Sequence, residues 1–158
     1  MVNENISIAN AHIMFRNFRG EASKFNAAGK RNFCVVIDND IAPKLIDDGW
    51  NVRMFPPRDN EDEPTYYMQV SVSYDIIPPN IFLITKHNKT RLDEDTIGSL
   101  DWAEIQNIDL VIRPYNWEVP DRDGVKTGVK AYVKNMYVTI VEDEFVDKYS
   151  DIPMNDED

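Results

Sequence analysis

The sequence predicts a mainly β protein: six or seven strands in a small antiparallel barrel, one or two short helices, and a disordered acidic C-terminal tail. Runs of alternating apolar and polar residues recur along the chain, and stretches containing glycine, proline and charged residues separate them. A length of 158 residues predicts one domain whose core needs no disulfide or metal. An OB-like barrel, closed or partly closed, would protect the edges of so many strands, and a β-sandwich is the alternative.

The first part of the chain predicts a long strand, a polar loop and a buried strand. The long strand covers residues 6–18. Alternation in its later part places on one face His12, Met14, Arg16 and Phe18, and on the other Ile13 and Phe15. The polar loop covers residues 19–31, where Phe25 either packs into the core or forms an exposed stacking platform between Lys24 and Lys30. Residues 32–37 are almost wholly apolar, which predicts a central buried strand that contains Cys34 as a core residue.

The middle of the chain predicts one short helix among further strands. Residues 40–49 fit a helix because Asp40 can cap its start, a proline follows early and Gly49 can end it. The remaining elements are strands over 50–55, 65–76 and 81–85, a basic turn over 86–91, and a short helix or irregular connection over 93–104. The basic turn is either a solvated loop or a phosphate contact.

Two later runs predict a β-hairpin with one apolar face and one cationic, aromatic face. In the first run, a period of two places Ile108, Leu110 and Ile112 on one face and Arg113, Tyr115 and Trp117 on the other. In the return run, the same period places Val129, Ala131 and Val133 on one face and Lys130, Tyr132 and Lys134 on the other. If the runs pair, the two sets form one surface on which cations follow phosphates and bases stack on rings, as single-stranded nucleic acid requires. The alternative is an ordinary half-exposed sheet whose lysines guard its edge.

The charge of the chain is unevenly distributed. The net charge is −11, which by itself argues against a polyanionic partner. Residues 141–158 hold eight carboxylates against Lys148, a net charge of −7, so the rest of the chain carries −4. Residues 12–35 hold five cations against Glu21, a net charge of +4. The sequence therefore combines basic segments with a strongly acidic end.

The sequence gives no sign of catalysis, and no cofactor or metal is expected. His12 and His87 lie on different segments without a recognisable metal spacing, and residues 121–124 match only a fragment of a calcium loop. A single cysteine, Cys34, permits no intrachain disulfide. With no basic leader and no apolar run of membrane-spanning length, the prediction is a soluble, non-enzymatic protein of the reducing cytoplasm, the host's if the chain is viral.

The end of the chain carries a resemblance to a known class of proteins. The segment Asp151-Ile152-Pro153-Met154 resembles the acidic Asp-Ile-Pro-Phe type of tail in bacterial single-stranded-DNA-binding proteins. The body is similar in layout to phage-encoded members of that OB-fold class, in the opening strand that ends in Phe18, the loop before residues 30–33, and the return run 128–133 with the acidic segment that follows. The sequence departs from the pattern at its end, where Met154 stands in place of an aromatic residue and residues 155–158 follow.

The resemblance implies a phage-encoded accessory of DNA replication or recombination that coats single-stranded DNA. It divides the chain into a binding domain, 1–145, and a tail, 146–158, that regulates access to the DNA site and recruits replication or recombination proteins through Asp151, Ile152, Pro153 and Met154. The predicted DNA-binding residues are Arg113, Tyr115, Trp117, Lys130, Tyr132 and Lys134, with a second set formed by Arg16, Phe18, Lys24, Phe25, Lys30 and Arg31. A non-enzymatic structural or DNA-mimic protein of a virus is the alternative, and the oligomeric state and the preference for DNA or RNA stay open.

Overall fold

One mixed β-sheet dominates the computed structural model, which describes residues 4–57, 63–75 and 77–142. Within these ranges the sheet has nine strands: β1 (Ile6–Ile8), β2 (Ile13–Asn17), β3 (Arg31–Ile37), β4 (Val52–Phe55), β5 (Thr65–Val72), β6 (Asn80–Ile84), β7 (Lys89–Leu92), β8 (Ile105–Asp121) and β9 (Gly124–Ile140). The helix α1 covers Ala42–Asp47 and a 3-10 helix covers Ile97–Asp101. No helix among the described residues is long and apolar enough to span a membrane.

The strand order is β1-β8-β9-β5-β3-β2, with β4 beside β5, and β6 between β7 and β9. The strands β5 and β6 run parallel to β9, and the other pairings are antiparallel. The sheet is not closed, but its two end strands, β1 and β2, are consecutive in the chain. Between them the N–H of Ala11 donates to the carbonyl of Ile108 at 2.7 Å, and the carbonyl of His12 accepts from the N–H of Val36 at 2.9 Å. The segment between β1 and β2 therefore forms backbone hydrogen bonds with β8, near one end of the strand order, and with β3, near the other end.

The mainly β class is confirmed, and the details of the sheet differ from the prediction. Nine strands are present among the described residues instead of six or seven, because the run predicted over 6–18 divides into two strands and the segment around residues 80–92 forms its own hairpin. The sheet is mixed instead of antiparallel, because β5 and β6 reach β9 through crossover connections. The predicted tail, 146–158, and its boundary lie outside the described residues.

The core is formed by the apolar sides of the strands. On the long hairpin the buried residues include Ile108, Leu110, Ile112, Val129, Ala131 and Val133, as their alternation predicts. The helix α1 buries Ala42 and Leu45, and Gly49, which follows its C-cap Asp48, has a φ of +95° that suits glycine. The N-cap position of α1 is occupied by Ile41, and no side chain forms a capping hydrogen bond there. The prediction that Asp40 caps the helix is therefore wrong.

An irregularity in β2 places two aromatic rings on the faces opposite to those that strict alternation predicts. The pairing of β2 with β3 shifts between Met14 and Asn17, and Phe15 within the shift has a φ of +54°. This conformation costs a bulky residue about 1–3 kcal/mol, and here it leaves the Phe15 ring 64% exposed. Phe18, which strict alternation places on the outer face, is instead fully buried and stacks on Phe33 with ring centroids 5.2 Å apart. A single extra residue in a strand reverses which face the later side chains occupy.

Candidate nucleic-acid interface

The long hairpin brings together four of the six side chains predicted for its outer face. Arg113 lies opposite Tyr132 and Tyr115 lies opposite Lys130 in the ladder between β8 and β9. Directly opposed residues point to the same side of a sheet, so these four side chains share one face. We call Arg113, Tyr115, Lys130 and Tyr132 the hairpin surface.

The tyrosine rings and the cations of the hairpin surface are in direct contact. The guanidinium carbon of Arg113 lies 4.7 Å from the centroid of the Tyr132 ring, and Nζ of Lys130 lies 5.0 Å from the same centroid. The Tyr115 ring meets Tyr132 edge to face, with centroids 6.2 Å apart, and is 53% exposed. The arrangement therefore offers ring surface for stacking beside two cationic side chains.

Arg113 also has an unused hydrogen-bond donor. Its Nε atom is buried and makes no hydrogen bond to any of the described residues. A buried donor without a partner is costly to the fold. A phosphate beside the Tyr132 ring would pair with the guanidinium charge of Arg113.

The other two predicted hairpin residues flank the hairpin surface. Trp117 is half-buried and its indole lies flat across Gly128, where an added Cβ atom would stand only 2.4 Å from the ring carbon Cζ2. Gly128 is thus the residue that allows the indole to lie against β9. Lys134 is exposed and occupies an irregularity of the ladder, because Val111 pairs with Asn135 and the next residue of β8 pairs with Val133. The alternation therefore shifts by one residue at Lys134.

The second predicted set does not form a single surface. Phe18 is buried in the core, so the prediction that it stacks on bases is wrong. Arg16 is half-buried, and its Nη1 donates to the carbonyls of Leu100 at 3.0 Å and Ala103 at 2.7 Å, which secures the 3-10 helix against β2. Arg31 lies at the start of β3 on the core side and forms an ion pair with Glu94 at 3.7 Å.

Three members of this second set stand in the loop that precedes β3. Phe25 is 92% exposed, and Nζ of Lys24 lies 5.7 Å from its ring centroid. Lys30 is also exposed. Of the two alternatives for Phe25, the exposed position is the one observed.

Three aromatic side chains outside the predicted DNA-binding sets form a further cluster on the outer face. The rings of Phe55 and Tyr67 stack with centroids 4.3 Å apart, and Phe15 meets Phe55 edge-on at 6.3 Å. We call Phe15, Phe55 and Tyr67 the ring cluster. Period-two alternation in residues 50–55 puts Phe55 on the same face as Arg53, which is a signal available in the sequence. The outward position of Phe15 has no such signal.

The hairpin surface and the ring cluster lie on one continuous face of the sheet. Tyr132 on β9 pairs with Ser71 on β5, and Ser71 pairs with Asn32 on β3. Along β5, Ser71 and Tyr67 alternate with buried residues and so point outward. A line drawn across the sheet from β8 through β9, β5 and β3 to β2 crosses four spacings between neighbouring strands, a distance of about 19 Å.

Cys34 lies on this same face, not in the core. It pairs with Met14 on β2 and with Gln69 on β5, and it is half-buried. Burial raises the pKa of its thiol, an effect that the nearby charge of Arg53 partly offsets. The chain's single cysteine therefore stands near the middle of the outer face with a thiol that is mostly protonated at neutral pH.

A third group of rings lies farther along β9. Phe82 and Tyr137 stack with centroids 5.5 Å apart, and Nζ of Lys89 lies 4.3 Å from the Phe82 ring. Asp109 is directly opposite Tyr137 in the ladder. This carboxylate distinguishes the group from the hairpin surface, because it disfavours a phosphate beside Tyr137. Among the residues the structure describes, no group of three or more histidine, cysteine or acidic side chains is placed to hold a metal ion.

Comparisons with known proteins give one family match and several structural matches. A family model described as "Putative phage ssDNA-binding domain" matches residues 1–158. Comparison with curated protein sequences gives no match. Among solved structures, the single-stranded DNA-binding protein from bacteriophage Enc34 in complex with ssDNA matches with a TM-score of 0.53 and 12% identity, covering 89% of this chain and 89% of that chain.

Two further structures of the Enc34 protein give the same result. Its C-terminal truncation matches with a TM-score of 0.53 and 12% identity, covering 88% of this chain and 87% of that chain. A third structure of the protein matches with a TM-score of 0.52 and 13% identity, covering 93% of this chain and 88% of that chain. At these identities the likeness is one of fold.

Proposed function

Because the chain belongs to the phage ssDNA-binding domain family, we propose that it binds single-stranded DNA without sequence preference through the outer face of its sheet. The observation that carries this proposal is the hairpin surface, where Arg113 and Lys130 both lie over the ring of Tyr132. Bases would stack on Tyr132 and Tyr115, and phosphates would pair with the two cations. Stacking tolerates any base because every base has a flat face, which accounts for the absence of sequence preference.

The ring cluster extends the same site across the sheet. A strand that leaves Tyr132 over Ser71 reaches Tyr67 along β5, and then Phe55 and Phe15. The crossing of about 19 Å suits a short single-stranded segment, and OB-type domains bind about 4–16 nucleotides each. Lys134 and Trp117 would border the strand at the hairpin, and Lys24, Phe25 and Lys30 would border it at the loop before β3.

The role that follows is the coating of exposed single strands during phage DNA replication or recombination, in the cytoplasm of the host cell. The protein would protect and present the strand without catalysing a reaction on it. The acidic tail, 146–158, would compete with DNA for the cationic groups while the site is empty. Once DNA displaces it, residues 151–154 would be available to a replication or recombination protein.

Titration of fluorescein-labelled dT oligonucleotides, followed by fluorescence anisotropy, tests the proposal. We expect saturable binding that weakens as salt increases, with similar affinity for dT and mixed-sequence strands and weaker binding of duplex DNA. A structural or DNA-mimic protein would give no anisotropy change at any salt concentration, and that result would overturn the proposal. A strong preference for one sequence would overturn the stacking mechanism.

A further inference from the structure

A cleft of about 540 Å³ lies beside the ring cluster, where the end of β2 and the following loop face the end of the 3-10 helix. Two exposed aromatic side chains line it, Phe15 on β2 and Trp102, which is 69% exposed. An indole so exposed is unusual in a surface without a partner, since aromatic rings normally bury most of their area. The cleft is lined by Phe15, Arg16, Asn17, Arg19, Glu21, Ala22, Ser23, Asp101 and Trp102.

The walls of the cleft are held in place by the surrounding residues. The guanidinium carbon of Arg19 lies 4.7 Å from the Trp102 ring centroid, and Arg19 forms ion pairs with Glu21 and with Asp101, the second at 3.8 Å. The carboxylate of Asp101 in turn accepts the backbone N–H groups of Phe18 at 2.7 Å and Arg19 at 3.1 Å. The contact with Arg19 restricts the indole before a ligand arrives, which lowers the conformational cost of stacking a flat ligand on it.

The charges of the cleft favour an uncharged ligand over a phosphate. Arg16 and Arg19 are balanced by Glu21 and Asp101, and both guanidinium groups already have partners in the structure. A phosphate entering the cleft would meet two carboxylates, whereas the edge of a base could use the same polar groups as hydrogen-bond partners. Ring faces with balanced polar groups between them suit a nucleobase.

The cleft continues the proposed DNA path. Phe15 belongs both to the ring cluster, through Phe55, and to the wall of the cleft. A strand that has crossed from the hairpin surface to Phe55 therefore meets the cleft next. The strained φ of Phe15 keeps the ring at this junction.

From these observations we infer that the cleft between Phe15 and Trp102 is a base-binding subsite, an inference that rests on the proposed single-stranded-DNA binding. One unstacked base of the bound strand occupies the cleft beside the indole, and its phosphate stays outside. The subsite ends the DNA path on the side opposite the hairpin surface, and the cleft adds one nucleotide to the length that the sheet alone can hold.

Tryptophan fluorescence can report on the cleft directly. The chain has three tryptophans: Trp50 is buried, Trp117 lies at the hairpin, and Trp102 lies at the cleft. In a Trp117→Phe protein, saturation with unlabelled dT should quench the emission of Trp102 because a stacked base shields and quenches an indole. The quenching should disappear in the double variant Trp102→Phe, Trp117→Phe, while anisotropy of a labelled strand still shows binding by both proteins.

Affinity gives an independent measurement. Trp102→Ala should weaken binding of a dT oligonucleotide that spans the whole path by roughly five- to a hundredfold, and should leave binding of the shortest detectable oligonucleotide within about twofold of wild type. The matched control is Ile46→Ala, an exposed apolar side chain on α1 outside the path, and it should change neither affinity. Circular dichroism would confirm that the variants fold.

The outcomes separate the subsite from the function. If the Trp117→Phe protein binds dT by anisotropy but its fluorescence does not change, or if Trp102→Ala binds long strands as wild type does, the subsite inference is wrong and the proposed function stands. If wild-type protein does not bind dT at all, the proposed function fails and the subsite fails with it.

Discussion

Replacement of Tyr132 by leucine is the sharpest test of the hairpin surface. The exchange removes the ring on which Arg113 and Lys130 lie and keeps an apolar side chain on β9. Loss of one stacked base costs about 1–3 kcal/mol, which corresponds to a roughly five- to a hundredfold weaker complex with single-stranded DNA. The fold itself loses two cation–π contacts at about 0.5–1 kcal/mol each. That is a minor part of the roughly 5–15 kcal/mol that stabilises a domain, so the variant should remain folded.

The salt dependence distinguishes stacking from charge in this experiment. Each phosphate contact on a single strand contributes about −0.7 to the slope of the logarithm of the binding constant against the logarithm of salt concentration. Tyr132→Leu removes no charge, so its slope should equal that of wild type while its affinity is lower at every salt concentration. Lys130→Gln should reduce the magnitude of the slope by about 0.7, so that its affinity approaches wild type as salt increases.

The matched control for this test is Tyr137→Leu, the same exchange on the same strand. Tyr137 stacks on Phe82 and faces Asp109, so we expect it to lie outside the DNA path and its replacement to leave affinity within about twofold of wild type. Anisotropy titrations at four or five salt concentrations give both the affinities and the slopes. Equal losses in Tyr132→Leu and Tyr137→Leu, or a changed slope in Tyr132→Leu, would refute the assignment of stacking to the hairpin surface.

Three further predictions concern other parts of the chain. Gly128→Ala should destabilise the fold by about 1–3 kcal/mol and alter tryptophan fluorescence, because the added Cβ would stand 2.4 Å from the Trp117 ring; a thermal unfolding curve identical to that of wild type would contradict the observed packing. Burial raises the pKa of the Cys34 thiol, so its alkylation should be slower at neutral pH than that of a small free thiol and should accelerate as pH rises toward that pKa. Saturating dT should slow the reaction further, and equal rates with and without DNA would exclude Cys34 from the covered face. Deletion of 146–158 removes a net charge of −4 and should tighten DNA binding most at low salt; a weaker complex would contradict the proposed competition by the tail.

The sequence was sufficient to predict the hairpin because its alternation is regular. Every second residue is buried from Ile108 to Ile112 in β8 and from Val129 to Val133 in β9. Continuing this period of two along both strands places Arg113, Tyr115, Lys130 and Tyr132 on the outward face. The pairing register that places Arg113 opposite Tyr132 is then fixed by the turn at residues 121–124. Local pattern and tertiary structure agree in this region.

The sequence could not predict β2 in the same way because a shift in register has no compositional signature. Phe15 and Phe18 are the same residue type in the same strand-like run, and only the positive φ of Phe15 decides which ring is exposed. The conformation is set by the pairing with β3 and by the contacts of Arg16 with Leu100 and Ala103, more than 80 residues away in the chain. The ring cluster, which requires Phe15 on the surface, was for that reason missed.

Local arrangement of charge, and not the total, decides whether an acidic chain can bind a polyanion. At physiological ionic strength charges act over about 8 Å, so a bound phosphate responds mainly to the groups that surround it. At the hairpin surface these groups are Arg113 and Lys130, and both are anchored over one ring. The acidic residues that give the chain its net charge of −11 are concentrated in 141–158, where eight carboxylates stand against one lysine. We propose that the segment 146–158 leaves the DNA path when DNA binds, whereas the cations of the sheet stay in place, and that a net acidic chain holds a polyanion in this way.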